Sequence, residues 1–430
     1  MEKLWNSNYL RSWGANFALF FSFMLVVPLL PIYLQEEFSA SKDVIGTVLS
    51  GYTAVALLTR ATSGYLVDTY PRKQILVFGF VLLTLFFAGY IAAGSLLMFA
   101  VVRTLHGFPF GISTVANSTV AIDVLPKSRR AEGIGYYGLS NNVATAISPT
   151  IGLWLYNSFH RFDLLFLASM SMALFGVWLV SGIQMWTRPE SSKVREFENS
   201  KASQTPLNPE TLKQETPQTL QTPQTLQAPQ TLQTPQTSHI LHHLFLLPAW
   251  RQGLAIACYS FAYGIVSTYV AIYGREELGI SGGSGLFFAL LASGLIGSRL
   301  IGSRTLRQGR ILHNATIGTL ISCLGYLLFA LLHNQIGYYG AALLIGLGNG
   351  HLWPAFQTMF ISLGPSSHRG TANASLLTSW DLGVGLGVLG GGFFIEHLGY
   401  HTAFWAAWVV EALGVLFYLI CIRRTYRINS

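Results

Sequence analysis

Arg103, His106 and Asp381 are ionisable residues set inside apolar runs long enough to cross a lipid bilayer. An ionised side chain at mid-bilayer costs roughly 2.5–3.5 kcal/mol on insertion scales, so each one calls for a reason. Asp381 sits near the middle of its run, where a carboxyl can exchange a proton in step with another event. Two readings compete for it: a coupling or substrate role, or a neutral acid hydrogen-bonded to the backbone of a glycine-rich neighbour. Arg103 and His106 are three residues apart and share one helix face. Arg103 can also be satisfied by carbonyls freed at a helix break near Pro109. Glu411, central in the last run, reads as turned inward to a polar partner, and Arg60 as serving the end of its helix.

Polar and aromatic residues recur at helical spacing in other runs. Asn349, Trp353 and Gln357 fall four apart, with His351 among them; Tyr259 and Tyr263 make a second stripe, Asn16 and Phe20 a third. Such stripes serve as helix packing or as pocket walls, and the amides favour a wall. Other chemistry finds no footing. No Lys follows a Gly, so there is no phosphate loop, and HExxH, GxSxG and GxGxxG are absent. His239, His242 and His243 lack Cys or carboxylate company, so no metal site is expected. Cys258, Cys323 and Cys421 lie in apolar runs without CxxC spacing and read as small core residues. No enzyme, cofactor or ATP-driven step is expected; an ion gradient is the remaining energy source.

The elements that must hold these residues follow from composition. The 430 residues are 51% hydrophobic and only 10% charged, with mean hydropathy +0.45, where soluble domains run near 25% charged. The net charge of +8 does not point to nucleic acid, because the cations lie at the ends of apolar runs. Twelve spans are expected, at about 12–34, 44–67, 75–94, 97–121, 134–156, 163–186, 249–273, 284–303, 312–332, 337–361, 371–395 and 402–422. With both termini cytoplasmic, the outer loops hold only Lys42, Arg161 and Arg275 among the cations, as the positive-inside rule requires. The expected domains are a six-helix bundle over 1–186, a disordered linker over 187–248 and a second bundle over 249–430. The linker carries hexads of the type TPQTLQ, which bury nothing.

The bundles read as copies. Gly107, Gly111, Pro126, Arg130 and Gly152 recur 239 positions later as Gly346, Gly350, Pro365, Arg369 and Gly391. GYLVDTYPRK, Gly64 to Lys73, has a weaker counterpart in GSRTLRQGR, Gly302 to Arg310, where the cations remain and Leu306 replaces Asp68. Asp68 ends an apolar helix at the inner interface, where its carboxylate can accept from free N–H groups at the start of a neighbouring helix. Arg72 can pair with Asp68, Asp123 or Glu132 and, with Gly64 and Lys73, complete a gating latch. The plainer reading makes Arg72 and Lys73 topology signals only.

These features resemble the major facilitator superfamily over the whole chain. GYLVDTYPRK is similar to that family's loop pattern G-x-x-x-D-R-x-G-R-[RK], keeping Gly64, Asp68, Arg72 and Lys73 but not the Arg after the Asp or the second Gly, where Thr69 and Pro71 stand. RTLHGFPFG, from Arg103, resembles the R-x-x-Q-G motif of proton-linked members, with His106 for Gln. SPTIG, Ser148 to Gly152, resembles the exporter motif G-P-x-x-G, and SWDLG, Ser379 to Gly383, a helix 11 stretch of efflux members. The resemblance implies an all-α membrane protein of twelve helices in two pseudo-symmetric six-helix bundles. It implies a cavity lined by helices 1, 4, 7 and 10, helix 11 as the neighbour of Asp68, and proton coupling through Arg103. The expected function is a proton-coupled exporter of a small organic solute, in the cell (inner) membrane, whose partners are the solute, protons and lipid, acting as a monomer. The alternatives are a proton-linked importer of a sugar or metabolite and a non-transporting receptor on the same fold. Deleting residues 200–238 should silence a receptor and leave a transporter working.

Overall fold

In the computed structural model the described residues are 3–126, 129–184, 246–280, 284–307, 310–363 and 369–424, with most of the side chains they carry. The hexad connection and its three histidines fall outside the described residues, as do the side chains of Gly64, Asp68, Glu132 and Arg369. All regular structure among the described residues is helical.

The first half runs α1 (Ser7–Val26), α2 (Leu30–Phe38), α3 (Lys42–Thr69), α4 (Arg72–Ala92), α5 (Leu96–Leu105), α6 (Gly107–Asp123), α7 (Arg130–Phe159) and α8 (Phe162–Ser181). The second runs α9 (Trp250–Glu276), α10 (Ser284–Arg307), α11 (Ile311–Leu331), α12 (Gln335–Leu363) and α13 (Arg369–Phe417). Pro28 and Pro31 interrupt the first crossing, leaving a 3-10 turn at Val27–Leu29 between α1 and α2. α5 and α6 are one crossing broken at His106, just ahead of Pro109. α13 is two arms joined at Gly399, whose φ of 83° and ψ of 166° only glycine adopts freely. Seven helical stretches are long and apolar enough to cross a membrane by length and composition among the described residues.

The repeated glycines have repeated jobs. A Cβ on Gly107 would strike the backbone of α3 at Tyr52 and Ala56, and one on Gly346 would strike α10 at Leu291. Gly152 meets α1 at Leu25; its counterpart Gly391 meets α9 at Ile265. The same helix pairs therefore touch in both halves, and small residues are what let them touch. The ladder Gly383, Gly387 and Gly391 lies along α9, against Ala257, Phe261 and Ile265.

The described residues of the two halves form one compact unit. Within it two seams join the halves: α3 runs antiparallel along the first arm of α13, and α7 along α10. One end of the bundle holds the start of α1, the α3–α4 and α6–α7 turns and the start of α13; it is termed here the terminal face. The opposite end is the far face.

Candidate functional site

The three residues expected to handle protons are linked through residues that had been given no such role. Asp381, on the first arm of α13, faces Arg60 of α3 at 2.7 Å across the seam between halves, with side-chain exposures of 15% and 7%. Arg60 was expected to serve the end of its own helix; it instead neutralises the acid of the opposite bundle, because a buried carboxylate needs a cation. Asp381 is accordingly not held by glycine backbone. Its contact is an ion pair with poor hydrogen-bond alignment, since neither Nη1 of Arg60 nor Oδ2 of Asp381 completes a hydrogen bond.

Tyr52 continues the path. It lies two turns before Arg60 on α3, buried, with its hydroxyl unpartnered and within electrostatic reach of Arg60, Asp381 and Arg103. The Arg103 guanidinium sits 4.3 Å from the Tyr52 ring centre and 5.2 Å from that of Phe23, a cation–π box. Its Nη1 donates to the Tyr90 hydroxyl at 3.1 Å, and that hydroxyl meets His106 Nδ1 at 2.6 Å. Arg103 is thus met by aromatic faces and a tyrosine, with its Nε left unpartnered, and not by carbonyls at the Pro109 break. His106 is fully buried among Phe86, Phe87 and Tyr90, with Nε2 unpartnered. Asp381, Arg60, Tyr52, Arg103, Tyr90 and His106 make one buried polar line.

The expected cavity residues divide. Asn16 is buried and spends its amide on α7, donating to Ser140 at 2.8 Å and accepting from Tyr137 at 2.9 Å. His351 is occupied with the Leu347 carbonyl of its own helix at 3.0 Å, and Gln357 donates to Asn373 at 3.1 Å. Asn16 and Gln357 hold helices together here, while His351 bonds within its own helix. Phe20 packs edge-on against Phe110, and Asn349 is half-buried on α12. Tyr259, Tyr263 and Trp353 converge on Trp380, with ring centres 5.6, 5.2 and 5.0 Å from it. Trp380, the residue before Asp381, organises this aromatic wall and was missed because stripes were sought within single helices.

At the terminal face Arg72 Nη1 bonds Asp123 Oδ2 at 2.6 Å. The pair ties α4 to α6 inside the first half, so it does not itself bridge the bundles. Lys73 is half-buried beside it at the start of α4. The other described ion pairs between the halves stand at the far face. Glu36 of α2 pairs with Arg275 of α9 and accepts from Tyr156 at 2.6 Å. Glu276 takes Lys42 at 3.2 Å, Gln35 at 2.6 Å and Tyr400 at 2.8 Å. Glu396 accepts from the Lys42 amide at 2.7 Å. The far face is closed by this network. A cavity of about 340 Å³ lies beside it, walled by both halves and containing Glu36, Tyr156, Asn157, His160 and Arg275.

Known proteins share this plan. The family profile described as Major Facilitator Superfamily matches residues 12–387 and 316–429. The chain is 21% identical over 378 residues to the staphylopine export protein of Staphylococcus aureus (strain Mu50 / ATCC 700699), covering 86% of this chain and 85% of that protein. It is 23% identical over 437 residues to the multi-drug resistance efflux pump PmrA of Streptococcus pneumoniae, covering 99% and 98%. Among solved structures, the peptide transporter POT in complex with sulfate superposes with TM-score 0.71 at 14% identity, over 98% of this chain and 94% of that one. That last likeness speaks to the fold alone.

Proposed function

The chain belongs to the Major Facilitator Superfamily of multi-pass membrane transporters, and from that premise we propose a proton-coupled exporter of a small organic solute, working by alternating access. The two full-length relatives, an export protein and an efflux pump, support the direction of transport. The observation that carries the coupling is the Arg60–Asp381 pair, 2.7 Å across the seam that must change if the halves are to rock. A proton arriving on Asp381 removes the charge that holds Arg60, and the halves lose one tie. A cationic or hydrogen-bonding solute lodged by Trp380 competes for the same carboxyl. Proton and solute then exclude one another at Asp381, which is the condition for antiport.

In this reading the chain makes twelve crossings in two six-helix bundles, both termini are cytoplasmic, and the protein acts as a monomer in the cell membrane. The far face is the outer one, so the closed network of Glu36, Arg275, Glu276 and Lys42 belongs to the state that loads solute from inside. Arg103 and His106 hold the outer end of the polar line. Tyr259, Tyr263, Trp353 and Trp380, with Asn349 and Phe20, form the solute wall. Gly64, Asp68, Arg72, Lys73, Asp123 and Glu132 close the terminal face in the opposite state.

Sealed vesicles of known orientation, loaded with a pH-sensitive dye, test the proposal. A panel of sugars, organic acids and cationic drugs is added singly to wild type and to Asp381→Asn. A solute that drives proton movement in wild type but not in the variant is the expected result. A pH change of the opposite sign identifies an importer. Binding without movement of solute or proton in wild type overturns the transport reading.

A further inference from the structure

The coupling line leaves one buried acid unused. Glu411, on the second arm of α13, is 1% exposed. Ser322 of α11 donates to its Oε1 at 2.9 Å. Among the described residues no cation pairs with it. The groups facing it are Cys258 and Tyr259 from α9 and Cys323 and Tyr326 from α11. Trp408, one turn away on its own arm, lies against Cys323.

Two hydroxyls facing this carboxyl are buried without a hydrogen-bond partner, those of Tyr259 and Tyr326. They lie against each other and beside Ser322 without completing a bond. A buried orphan donor is costly, so two facing one carboxyl need an explanation. The donor inventory supplies it. An ionised carboxylate accepts at about four lone-pair sites. Ser322, Tyr259 and Tyr326 are three donors. The neutral acid suits the apolar burial seen here, and the spare donors suit the charged form. Both protonation states are provided for at one position, which a purely structural hydrogen bond does not require.

We propose that Glu411 is a second proton-binding site, in the second half, whose proton reaches the aromatic wall through the hydroxyls of Tyr326 and Tyr259. The rings continue toward the seam: that of Tyr259 lies 6.2 Å from Tyr326 and 5.6 Å from Trp380, which precedes Asp381. The proposal deepens the proton-coupled reading by giving the protein two acids, one at the seam and one inside a single bundle. Its test does not depend on transport.

N,N′-dicyclohexylcarbodiimide, an apolar reagent that adds to protonated carboxyls inside membranes, is applied to the full-length protein in liposomes from about pH 5 to pH 10, spanning the range a buried carboxyl can reach. Adduct on the Glu411 peptide is read by mass spectrometry. Labelling at low pH that falls about tenfold per unit beyond a midpoint is expected, as for a single titrating proton. In Tyr326→Phe, which removes a donor from the charged form, labelling should persist to more alkaline pH. Labelling that is flat with pH, or absent while the peptide is recovered, overturns the proposal on wild type alone, whatever the variants do. The vesicle assay on wild type separates the two ideas. Glu411 titrating in a wild type in which no solute drives protons sinks the coupling reading only; proton movement with an untitrating Glu411 sinks this one only.

Discussion

Arg60 and Asp381 should behave as one unit. At 2.7 Å their gross attraction is roughly 6 kcal/mol at an effective dielectric of about 20, most of it offset by the desolvation of two buried ions. Removing one partner leaves the other buried and uncompensated, at about 3–5 kcal/mol. The poor alignment of the pair argues for the lower end, about 3 kcal/mol. Because the pair spans the halves, that energy biases the conformational equilibrium, and about 3 kcal/mol is roughly a hundredfold change in the ratio of states. The perturbations are Arg60→Gln, Asp381→Asn and the double variant. The assay is a spin-label pair across the far face, on Arg161 and Glu277, whose distance distribution gives the two populations. Each single variant should move the ratio roughly a hundredfold, and the double should return to within about tenfold of wild type, since neither charge is stranded. A double variant equal to the sum of the singles within about 0.5 kcal/mol would refute the coupling.

Other consequences concern the far face and the packing. Glu276→Gln weakens the ties to Lys42, Gln35 and Tyr400 at once, so a cysteine placed at Asn157 should react faster with a water-soluble maleimide; an unchanged rate would mean the network does not hold that face shut. Gly387→Ala drives a methyl into the Phe261 carbonyl and should cost about 1–3 kcal/mol in thermal unfolding, whereas Gly390→Ala, with nothing nearer than 3.7 Å, should be neutral or stabilising by about 0.5–1 kcal/mol. His333, in the turn between α11 and α12, packs edge-on to His401 with ring centres 3.5 Å apart, and burial first, then that neighbour, holds it below its ordinary 6.5, against the pull of the Ala330 carbonyl and Glu277. The unfolded chain therefore takes up this proton first, so the stabilising contribution is complete above about pH 6.5 and is lost as pH falls through the lowered value. Melting curves at about pH 7.5 and 5.5 should separate more in wild type than in His333→Gln.

What could be read from the chain, and what could not, has a physical pattern. Helix positions were legible because lipid demands long apolar runs, and Pro109 announced the break that appears between α5 and α6, whereas the break at Pro28 and Pro31 was not foreseen. Glu411 was legible as an inward-facing acid for the same reason: an exposed one would be ruinous. Partners across the seam were not legible, because helix periodicity reports which face a residue takes and nothing about which helix meets it. Arg60 was given the wrong partner, and Tyr52 and Trp380 went unassigned, on that account. The far-face gate was hidden differently. Lys42 and Arg275 were counted as two of three exceptions to the charge bias of the loops, yet each pairs with an acid of the opposite half. The exceptions carried the information.

The 239-residue repeat sharpens the case that one seam alone carries the acid. By that offset Arg60 corresponds to Arg299 on α10, and Asp381 to Asn142 on α7. These are the helices of the second seam, where Thr150 of α7 donates to the Gly285 carbonyl of α10 at 3.1 Å. The arginine has a counterpart and the acid does not: where the first seam has a carboxyl, the second has an amide of nearly the same shape. Two ionisable seams would require two protonations before the halves could part, and a fixed charge at either would hold them. Asn142→Asp restores the missing acid without changing volume. It should slow opening at the terminal face by about tenfold or more, the effect of a new pair worth upwards of about 1.4 kcal/mol, as measured by the exchange rate of a spin-label pair there. Adding Arg299→Gln should abolish the slowing. A slowing that survives that second change would show that the carboxyl acts through some other contact, and the symmetry argument would fall with it.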